Sequence, residues 1–223
     1  MTDSVQRALI VDEHPVVRQG LRYVLENTDD LSFCGGADTV AEARTAIARL
    51  RPDVLICEIS FRRLDGIELV RQMRAHYPRL PILVLSTLDE TIYAQRMLAL
   101  GVGGYIMKEA STELLLTALR AVLEGNVYVS DPVGSSMLSR FAGGASQLSA
   151  DPMERLSNRE LQVLHLIGKG SSTREAAQLL NLSIKTVESH RQRIKRKLNL
   201  TTGIQLLRYA VLSQGRTLDE PER

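Results

Sequence analysis

Residues 8–15 read Ala-Leu-Ile-Val-Asp-Glu-His-Pro, and the N-terminal half of the chain repeats the pattern that they set. Four consecutive apolar residues predict a strand that is buried on both faces. Two acidic residues follow this strand, and Pro15 is suited to open a helix. Further short apolar runs, each a predicted strand, lie at 33–36, 54–57, 82–85 and 105–107.

Helical patterns separate these runs. Thr39 and Glu42 have the spacing of an N-terminal capping box, and Asp65 and Glu68 have the same spacing. Further helices are predicted over 91–100 and 113–124. Five strands that alternate with five helices predict an α/β fold, in which helices cover both faces of a doubly wound parallel sheet.

Polar residues follow four of the predicted strands. They are Asp12 and Glu13 after the first strand, Glu58 after the third, Ser86 after the fourth and Lys108 after the fifth. Because the carboxyl ends of parallel strands lie along one edge of a sheet, we expect these side chains to meet in one cleft. Any one of them could be polar simply because loops are solvated, but that explanation is weaker for the whole set.

The C-terminal part of the chain has only helical patterns. Ser157 with Glu160 and Ser172 with Glu175 are spaced as capping boxes, and Ser183 is a suitable N-cap. Helices are therefore predicted over 158–168, 173–180, 184–198 and 202–212. Only three residues join the second of these helices to the third, which is the length of a helix-turn-helix connection.

The charge differs between the two parts. Residues 1–154 contain 15 Lys and Arg against 20 Asp and Glu, whereas residues 155–223 contain 13 against 6. The third C-terminal helix concentrates the positive charge, with six basic residues between Lys185 and Lys197 against Glu188 alone. An amphipathic helix could simply have a solvated face, but the short turn and the basic domain favour a recognition helix for DNA.

Composition excludes several classes of protein. Hydrophobic residues make up 44% and charged residues 24% of the chain, as in ordinary globular domains. No apolar run approaches the roughly 18 residues of a membrane span, and residues 1–7 lack the pattern of a signal peptide. Two cysteines, Cys34 and Cys57, are too few for a disulfide framework or a zinc site. We therefore expect a cytoplasmic protein.

Over almost its whole length the chain resembles the NarL/FixJ family of bacterial two-component response regulators. The residues that resemble a receiver domain lie at 12–15, 52–66, 86–87 and 104–108, and those that resemble a LuxR-type helix-turn-helix lie at 156–160, 170, 177, 180, 183, 186–187, 190, 194 and 197–198. The resemblance implies a flavodoxin-like (βα)5 receiver and an all-α, four-helix DNA-binding domain. The expected boundaries are 1–127 for the receiver, 128–154 for a linker, 155–216 for the DNA-binding domain and 217–223 for a tail.

The resemblance also implies roles for the residues of the cleft. An acidic pair, here Asp12 and Glu13, holds Mg²⁺, while a hydroxyl and a lysine, here Ser86 and Lys108, contact a phosphoryl group. Tyr105 matches the aromatic switch residue. The position that accepts the phosphoryl group is Glu58 instead of aspartate, and Arg62 replaces the usual proline. A weak Mg²⁺ site at Asp12, Glu13 and Glu58 is possible, but no cofactor is expected to be required.

Glutamate at position 58 leaves two hypotheses open. Its longer side chain could reach Lys108 and act as a built-in anion, which would make the receiver independent of phosphorylation. Alternatively, the domain is an inert scaffold for dimers or other partners. Two functions other than that of a transcription regulator stay open. One is an adaptor that acts on other regulators, and the other is a Mg²⁺-dependent phosphotransfer enzyme, which lacks a nucleophilic aspartate here.

The partners expected from this reading are double-stranded DNA and a second copy of the chain; a sensor kinase stays unidentified. The candidates for base contacts, at the centre of the polar side of the third helix, are Lys185, Glu188, Ser189 and Gln192. The candidates for phosphate contacts are Ser172, Thr173, Thr186, Arg193, Lys195, Arg196 and Lys197. The last helix carries an apolar stripe, of which Ile204, Leu207 and Val211 are the candidates for dimer contacts.

Overall fold

A computed structural model describes residues 5–61, 66–142 and 152–213. The chain divides into two compact units, Met1–Gly143 and Gly144–Arg223. No helix within the described ranges is long and apolar enough to cross a membrane.

The first unit is a five-stranded parallel sheet in the order β2-β1-β3-β4-β5. The strands are β1 (Gln6–Val11), β2 (Leu31–Ala37), β3 (Val54–Cys57), β4 (Ile82–Ser86) and β5 (Gly104–Met107). The helices are α1 (Pro15–Glu26), α2 (Val40–Leu50), α3 (Gly66–His76), α4 (Glu90–Ala99), α5 (Thr112–Leu123) and α6 (Asp131–Ala142). The predicted doubly wound α/β fold is confirmed, and only α6 was not expected as a full helix.

The sheet is buried because its strands are continuous apolar runs. Residues 8–11 and 54–57 are fully buried, as expected for central strands that helices cover on both faces. Pro15 occupies the first turn of α1, and α1 buries Leu21 and Leu25. Each strand therefore delivers the residue that follows it to the same edge of the sheet.

The helix caps follow the predicted residues in part. Thr39 caps α2 by accepting the N–H of Glu42 at 3.2 Å, but the carboxylate of Glu42 accepts the N–H of Asp38 and not that of Thr39. The capping box is therefore displaced by one residue. The predicted pair Asp65 and Glu68 cannot be compared, because Asp65 lies outside the described residues.

The boundary between receiver and linker lies later than the predicted residue 127. Tyr128 pairs with the edge strand β5, accepting the N–H of Tyr105 and donating to the carbonyl of Gly103, each at 2.9 Å. Ser130 then donates to Glu90 of α4 at 2.6 Å, and α6 packs on α4. Residues 128–142, predicted as linker, belong to the first unit because these contacts hold them there.

The described residues of the second unit form helices and no strand, as predicted. Its helices are α7 (Asn158–Gly168), α8 (Thr173–Leu179), α9 (Ile184–Lys197) and α10 (Gly203–Leu212), preceded by a 3₁₀ turn at Pro152–Arg155. The capping boxes at Ser157 and Ser172 are both present, and Ser183 caps α9. A third capping box, Thr202 with Gln205, starts α10. Helices α7 and α8 both pack against α9, and α7 also packs against α10. The open side of α9 is the exposed side that carries Glu188, Ser189 and Gln192.

Candidate functional site: the acidic cleft and the basic helix

The carboxyl ends of β1, β3, β4 and β5 bring Asp12, Glu58, Ser86 and Lys108 together, as the sequence predicted. Asp12, Glu58 and Ser86 are the polar residues that the first unit buries most completely in its described part. Buried carboxylates are costly unless they are hydrogen-bonded or paired, so the contacts around these two acids define the cleft.

Glu58 uses both of its carboxylate oxygens. Oε1 accepts hydrogen bonds from the hydroxyl of Ser86 at 2.5 Å and from the backbone N–H groups of Ile59 and Ser60 at 2.6 and 2.7 Å. Oε2 lies 2.8 Å from Nζ of Lys108. The two residues that the resemblance assigns to a phosphoryl group therefore both contact Glu58. The two backbone donors, Ile59 and Ser60, carry no sequence signal and could not be predicted.

Lys108 bridges the two buried acids. Its Nζ lies 2.5 Å from Oδ2 of Asp12 as well as 2.8 Å from Glu58. Burial lowers the pKa of Lys108, but the contacts with Asp12 and Glu58 and the negative charges of these acids together outweigh burial and raise the pKa above its ordinary value. The lysine is therefore charged at neutral pH and compensates the acids on both sides of it.

A chain of hydrogen bonds leads from Glu58 to Tyr105. The hydroxyl of Ser86, which contacts Glu58, also accepts the N–H of Leu88 at 3.2 Å, and the carbonyl of Leu88 accepts the Tyr105 hydroxyl at 2.7 Å. The ring of Tyr105 is buried, and burial raises the pKa of its phenol. The loop before α4 is thus bonded to both the glutamate and the switch tyrosine.

The cleft does not fit a Mg²⁺ ion as it is arranged here. Oδ1 of Asp12 accepts the N–H of His14 at 2.8 Å, and Oδ2 of Asp12 faces Lys108. Lys108 thus occupies the oxygens of Asp12 and Glu58 that a cation would need. Within the described residues, no group of three or more His, Cys, Asp or Glu side chains is placed to hold a metal. The weak site suggested at Asp12, Glu13 and Glu58 stays a prediction, and Arg62 lies outside the described residues.

The open side of α9 carries the residues predicted to read bases. The side chains of Lys185, Glu188, Ser189 and Gln192 are exposed, as are Arg193 and Arg196. Two hydroxyls that were predicted to contact DNA form hydrogen bonds within the domain. Ser189 donates to the carbonyl of Lys185 at 2.9 Å, and the Thr186 hydroxyl lies 2.8 Å from that of Ser183.

Two predicted phosphate contacts are engaged within the domain. Lys197 points toward α7, where Nζ lies 2.7 Å from Oε2 of Glu160. This ion pair does not support its assignment as a phosphate contact, which stays a prediction; Lys197 lies nine residues after Glu188 and therefore points away from that residue. The hydroxyl of Ser172 accepts the N–H of Glu175 in a capping box, while Thr173 and Lys195 are half-buried.

The apolar stripe of α10 divides as its pattern suggests. Leu206 and Ala210 are buried in the domain, whereas Ile204 is 80% and Leu207 45% exposed, and Val211 is half-buried. None of the three predicted dimer residues is therefore fully buried in the core of the domain.

Comparisons with known proteins agree with both units. Residues 8–120 match the response regulator receiver domain, and residues 154–210 match the bacterial regulatory proteins of the LuxR family. A receiver followed by such a helix-turn-helix defines a response regulator. The oxygen regulatory protein NreC of Staphylococcus epidermidis is 34% identical over 210 residues, which cover 92% of this chain and 96% of NreC. The chain therefore belongs to the NarL/FixJ family of response regulators.

Solved structures show the same architecture. RcsB from Salmonella enterica serovar Typhimurium, bound to the rprA promoter in the presence of the phosphomimetic BeF3⁻, is 29% identical with a TM-score of 0.59. The match covers 93% of this chain and 99% of RcsB. A structure of two RcsB dimers bound to two parallel DNAs is 28% identical, with a TM-score of 0.57 and coverage of 93% and 98%.

Proposed function

We propose that the protein is a sequence-specific, homodimeric DNA-binding transcription regulator whose receiver is held in its active arrangement by Glu58, without phosphorylation. The observation that carries this proposal is that the Glu58 carboxylate contacts both Ser86 and Lys108. These are the two side chains that the resemblance assigns to the phosphoryl oxygens.

The chemistry of glutamate supports this role. One methylene more than aspartate carries the carboxylate into the space where a phosphoryl group on an aspartate would lie. Glutamate brings a charge of −1, compared with about −2 for a phosphate group. Phosphoryl transfer also depends on a nucleophile placed in line, and a displacement of about 1 Å can reduce such a rate about 100-fold. Glu58 therefore suits a permanent anion better than a phosphate acceptor, and a regulator better than a phosphotransfer enzyme.

DNA binding rests on the second unit. Helix α9 follows a short turn and presents Lys185, Gln192 and Arg196 on its open side, opposite to the side that packs on α7. RcsB has been solved as dimers on DNA, and the exposed stripe of α10 offers an apolar surface for a twofold mate. A regulator that contacts bacterial DNA acts in the cytoplasm.

Binding of purified full-length protein to DNA, with and without acetyl phosphate and Mg²⁺, tests the proposal. The probe is a duplex that the protein itself selects from a random pool. We expect dimeric binding without the phosphodonor and no change when it is added. Binding that requires acetyl phosphate would refute the role of Glu58, and failure to select any sequence would refute the regulator itself.

A further inference from the structure

One buried carboxylate joins two helices of the second unit. Glu160 lies in the first turn of α7, and its side chain is 3% exposed. Its Oε2 accepts the N–H of Ser157 at 2.7 Å, which closes the capping box of α7. The same oxygen lies 2.7 Å from Nζ of Lys197, in the last turn of α9. The start of α7 and the end of the basic helix therefore converge on a single atom.

Lys197 lies on the edge of α9 that meets α7, and it points away from the candidate base contacts Glu188 and Gln192. It follows Glu188 by nine residues, about two and a half turns, so the two side chains point in opposite directions. His190, two turns before Lys197 on the same side, is half-buried. Burial, and then the nearby Arg193, lower the pKa of His190, which fits a helix side packed against protein.

The ion pair of Glu160 with Lys197 can hold α9 in place against α7. An exposed ion pair contributes little to stability, but removing one partner of a buried pair leaves a costly unpaired group. Burial raises the pKa of Glu160, but the hydrogen bonds from Lys197 and Ser157 outweigh burial and hold the pKa below its ordinary value. The carboxylate is therefore charged at neutral pH and attracts Lys197.

We infer that Glu160 is a positioning residue for DNA reading: through Lys197 it fixes the rotation and axial position of α9. This inference rests on the proposed DNA-binding function and adds to it a determinant of specificity that lies off the DNA face. Hydrogen bonds to base edges weaken steeply when their angles change. A small rotation of α9 therefore weakens the contacts of Lys185, Glu188 and Gln192 with bases more than it weakens attraction to phosphates, which is less directional.

The chain contains a matched control. Glu175 forms the same capping box with Ser172 at the start of α8, with the N–H of Ser172 donating to its Oε2 at 2.7 Å. Glu175 is exposed, and it forms no ion pair with another residue of the described ranges. Glutamine is common at this position of a capping box, so Glu160→Gln and Glu175→Gln both keep a cap while removing a charge. Only the first of them loses a link to α9.

The first measurement is the ratio of affinities for two DNA probes. One probe is the duplex that the parent protein selects from a random pool, and the other is poly(dI-dC). Glu160→Gln and Lys197→Met should each lower the ratio of specific to non-specific affinity about tenfold, whereas Glu175→Gln should change it less than about twofold. A variant that is only less stable has fewer folded molecules, which weakens both affinities equally and leaves their ratio unchanged.

The second measurement is the dependence of binding on salt. Lys197→Met should leave the slope of log K against log salt unchanged, while Arg196→Met should reduce its magnitude by about 0.9, the value for one lost phosphate contact. The double variant Glu160→Gln/Lys197→Met should lose no more specificity than either single variant. An altered slope in Lys197→Met, or ratios equal to that of the parent, would overturn the positioning role. A parent protein that selects no DNA sequence would instead overturn the proposed function, and this inference with it.

Discussion

Oε2 of Glu58 lies 2.8 Å from Nζ of Lys108, and both side chains are largely buried at the carboxyl edge of the sheet. The pair connects the end of β3 with the end of β5 across β4, whose Ser86 contacts the other oxygen of Glu58. Three neighbouring strands therefore share one carboxylate. Any change to its charge acts at once on Lys108 and, through Ser86 and Leu88, on the hydroxyl of Tyr105.

Glu58→Gln removes the charge of this carboxylate at almost constant shape. We expect dimeric binding to DNA to weaken about tenfold, because the variant replaces charge-assisted contacts, each of about 1.5–3 kcal/mol, by neutral ones. A few kcal/mol of differential interaction suffices to move a two-state switch. Quantitative footprinting against the parent protein checks this. Equal affinity of the two proteins would favour the hypothesis of an inert scaffold.

Glu58→Asp is the complementary change. Its shorter side chain withdraws from Ser86 and Lys108 and leaves room for a phosphoryl group. We expect this variant to bind DNA more weakly than the parent until acetyl phosphate and Mg²⁺ are added, whereas the parent should not respond. Phosphorylation is measured directly by mass spectrometry of the intact protein. A phosphorylated parent would contradict the proposal.

Lys108→Met leaves Asp12 and Glu58 buried without their cation. We expect a loss of about 3–5 kcal/mol in the free energy of unfolding, measured by urea denaturation near neutral pH. The pKa of Lys108 is raised in the folded protein. Its contribution is therefore fully present below its unfolded pKa and is lost as the pH rises through the folded pKa. The difference between parent and variant should stay constant from neutral pH to about pH 10 and shrink above that. A difference independent of alkaline pH would contradict the role of the ion pair.

Much of this architecture could be predicted because it rests on local signals. The fully apolar runs of β1 and β3 identified central strands, and helix caps at Ser157 and Ser172 placed α7 and α8. The contact of Glu58 with Lys108 followed from sheet topology, since both residues end parallel strands. Residues 128–142 were misassigned because glycine and serine there suggest a linker, while their placement depends on Tyr128 pairing with β5. That contact is tertiary and has no local pattern.

Gln192→Ala and Arg196→Ala should separate base reading from phosphate binding. Gln192 is exposed on the open side of α9 and can pair with adenine, so its loss should change the preferred sequence by about 1–3 kcal/mol at one position. Arg196 should contribute similarly on every sequence, so its loss should weaken all sites alike. Selection from a random pool measures both effects. If both variants lost the same affinity for every DNA sequence, the assignment of Gln192 to base reading would be contradicted.

Ile204→Glu tests the dimer surface of α10. Ile204 is 80% exposed, so a charge there should leave the fold intact while weakening self-association at least tenfold, since an apolar interface excludes charge. Leu179→Glu in α8 is the control, because Leu179 is 68% exposed and lies outside the predicted dimer stripe. Sedimentation equilibrium on DNA distinguishes the variants. The same stoichiometry for Ile204→Glu and the parent would exclude this surface as the interface.

Ser130→Ala tests whether the hydrogen bond to Glu90 of α4 holds α6 in place. The hydroxyl of Ser130 donates to Oε1 of Glu90 at 2.6 Å. Glu90 is the first residue of α4, and its carboxylate is the acceptor of this hydrogen bond. Its loss should cost about 1.5–3 kcal/mol of local stability, because hydrogen bonds to charged groups are worth that much. Amide hydrogen exchange within 131–139 should then accelerate more than tenfold, while exchange in α1 stays unchanged.

The control for this change is Ser135→Ala, since Ser135 is exposed on the same helix. It should leave exchange in α6 near the rate of the parent. Glu90→Gln should reproduce the effect of Ser130→Ala in part, because an amide oxygen still accepts the hydroxyl but without charge assistance. Combining Ser130→Ala with Glu90→Gln should add little to Ser130→Ala alone, since both changes act on the same bond. Unchanged exchange in Ser130→Ala would show that Val133, which is buried, and the pairing of Tyr128 with β5 hold α6 without this bond.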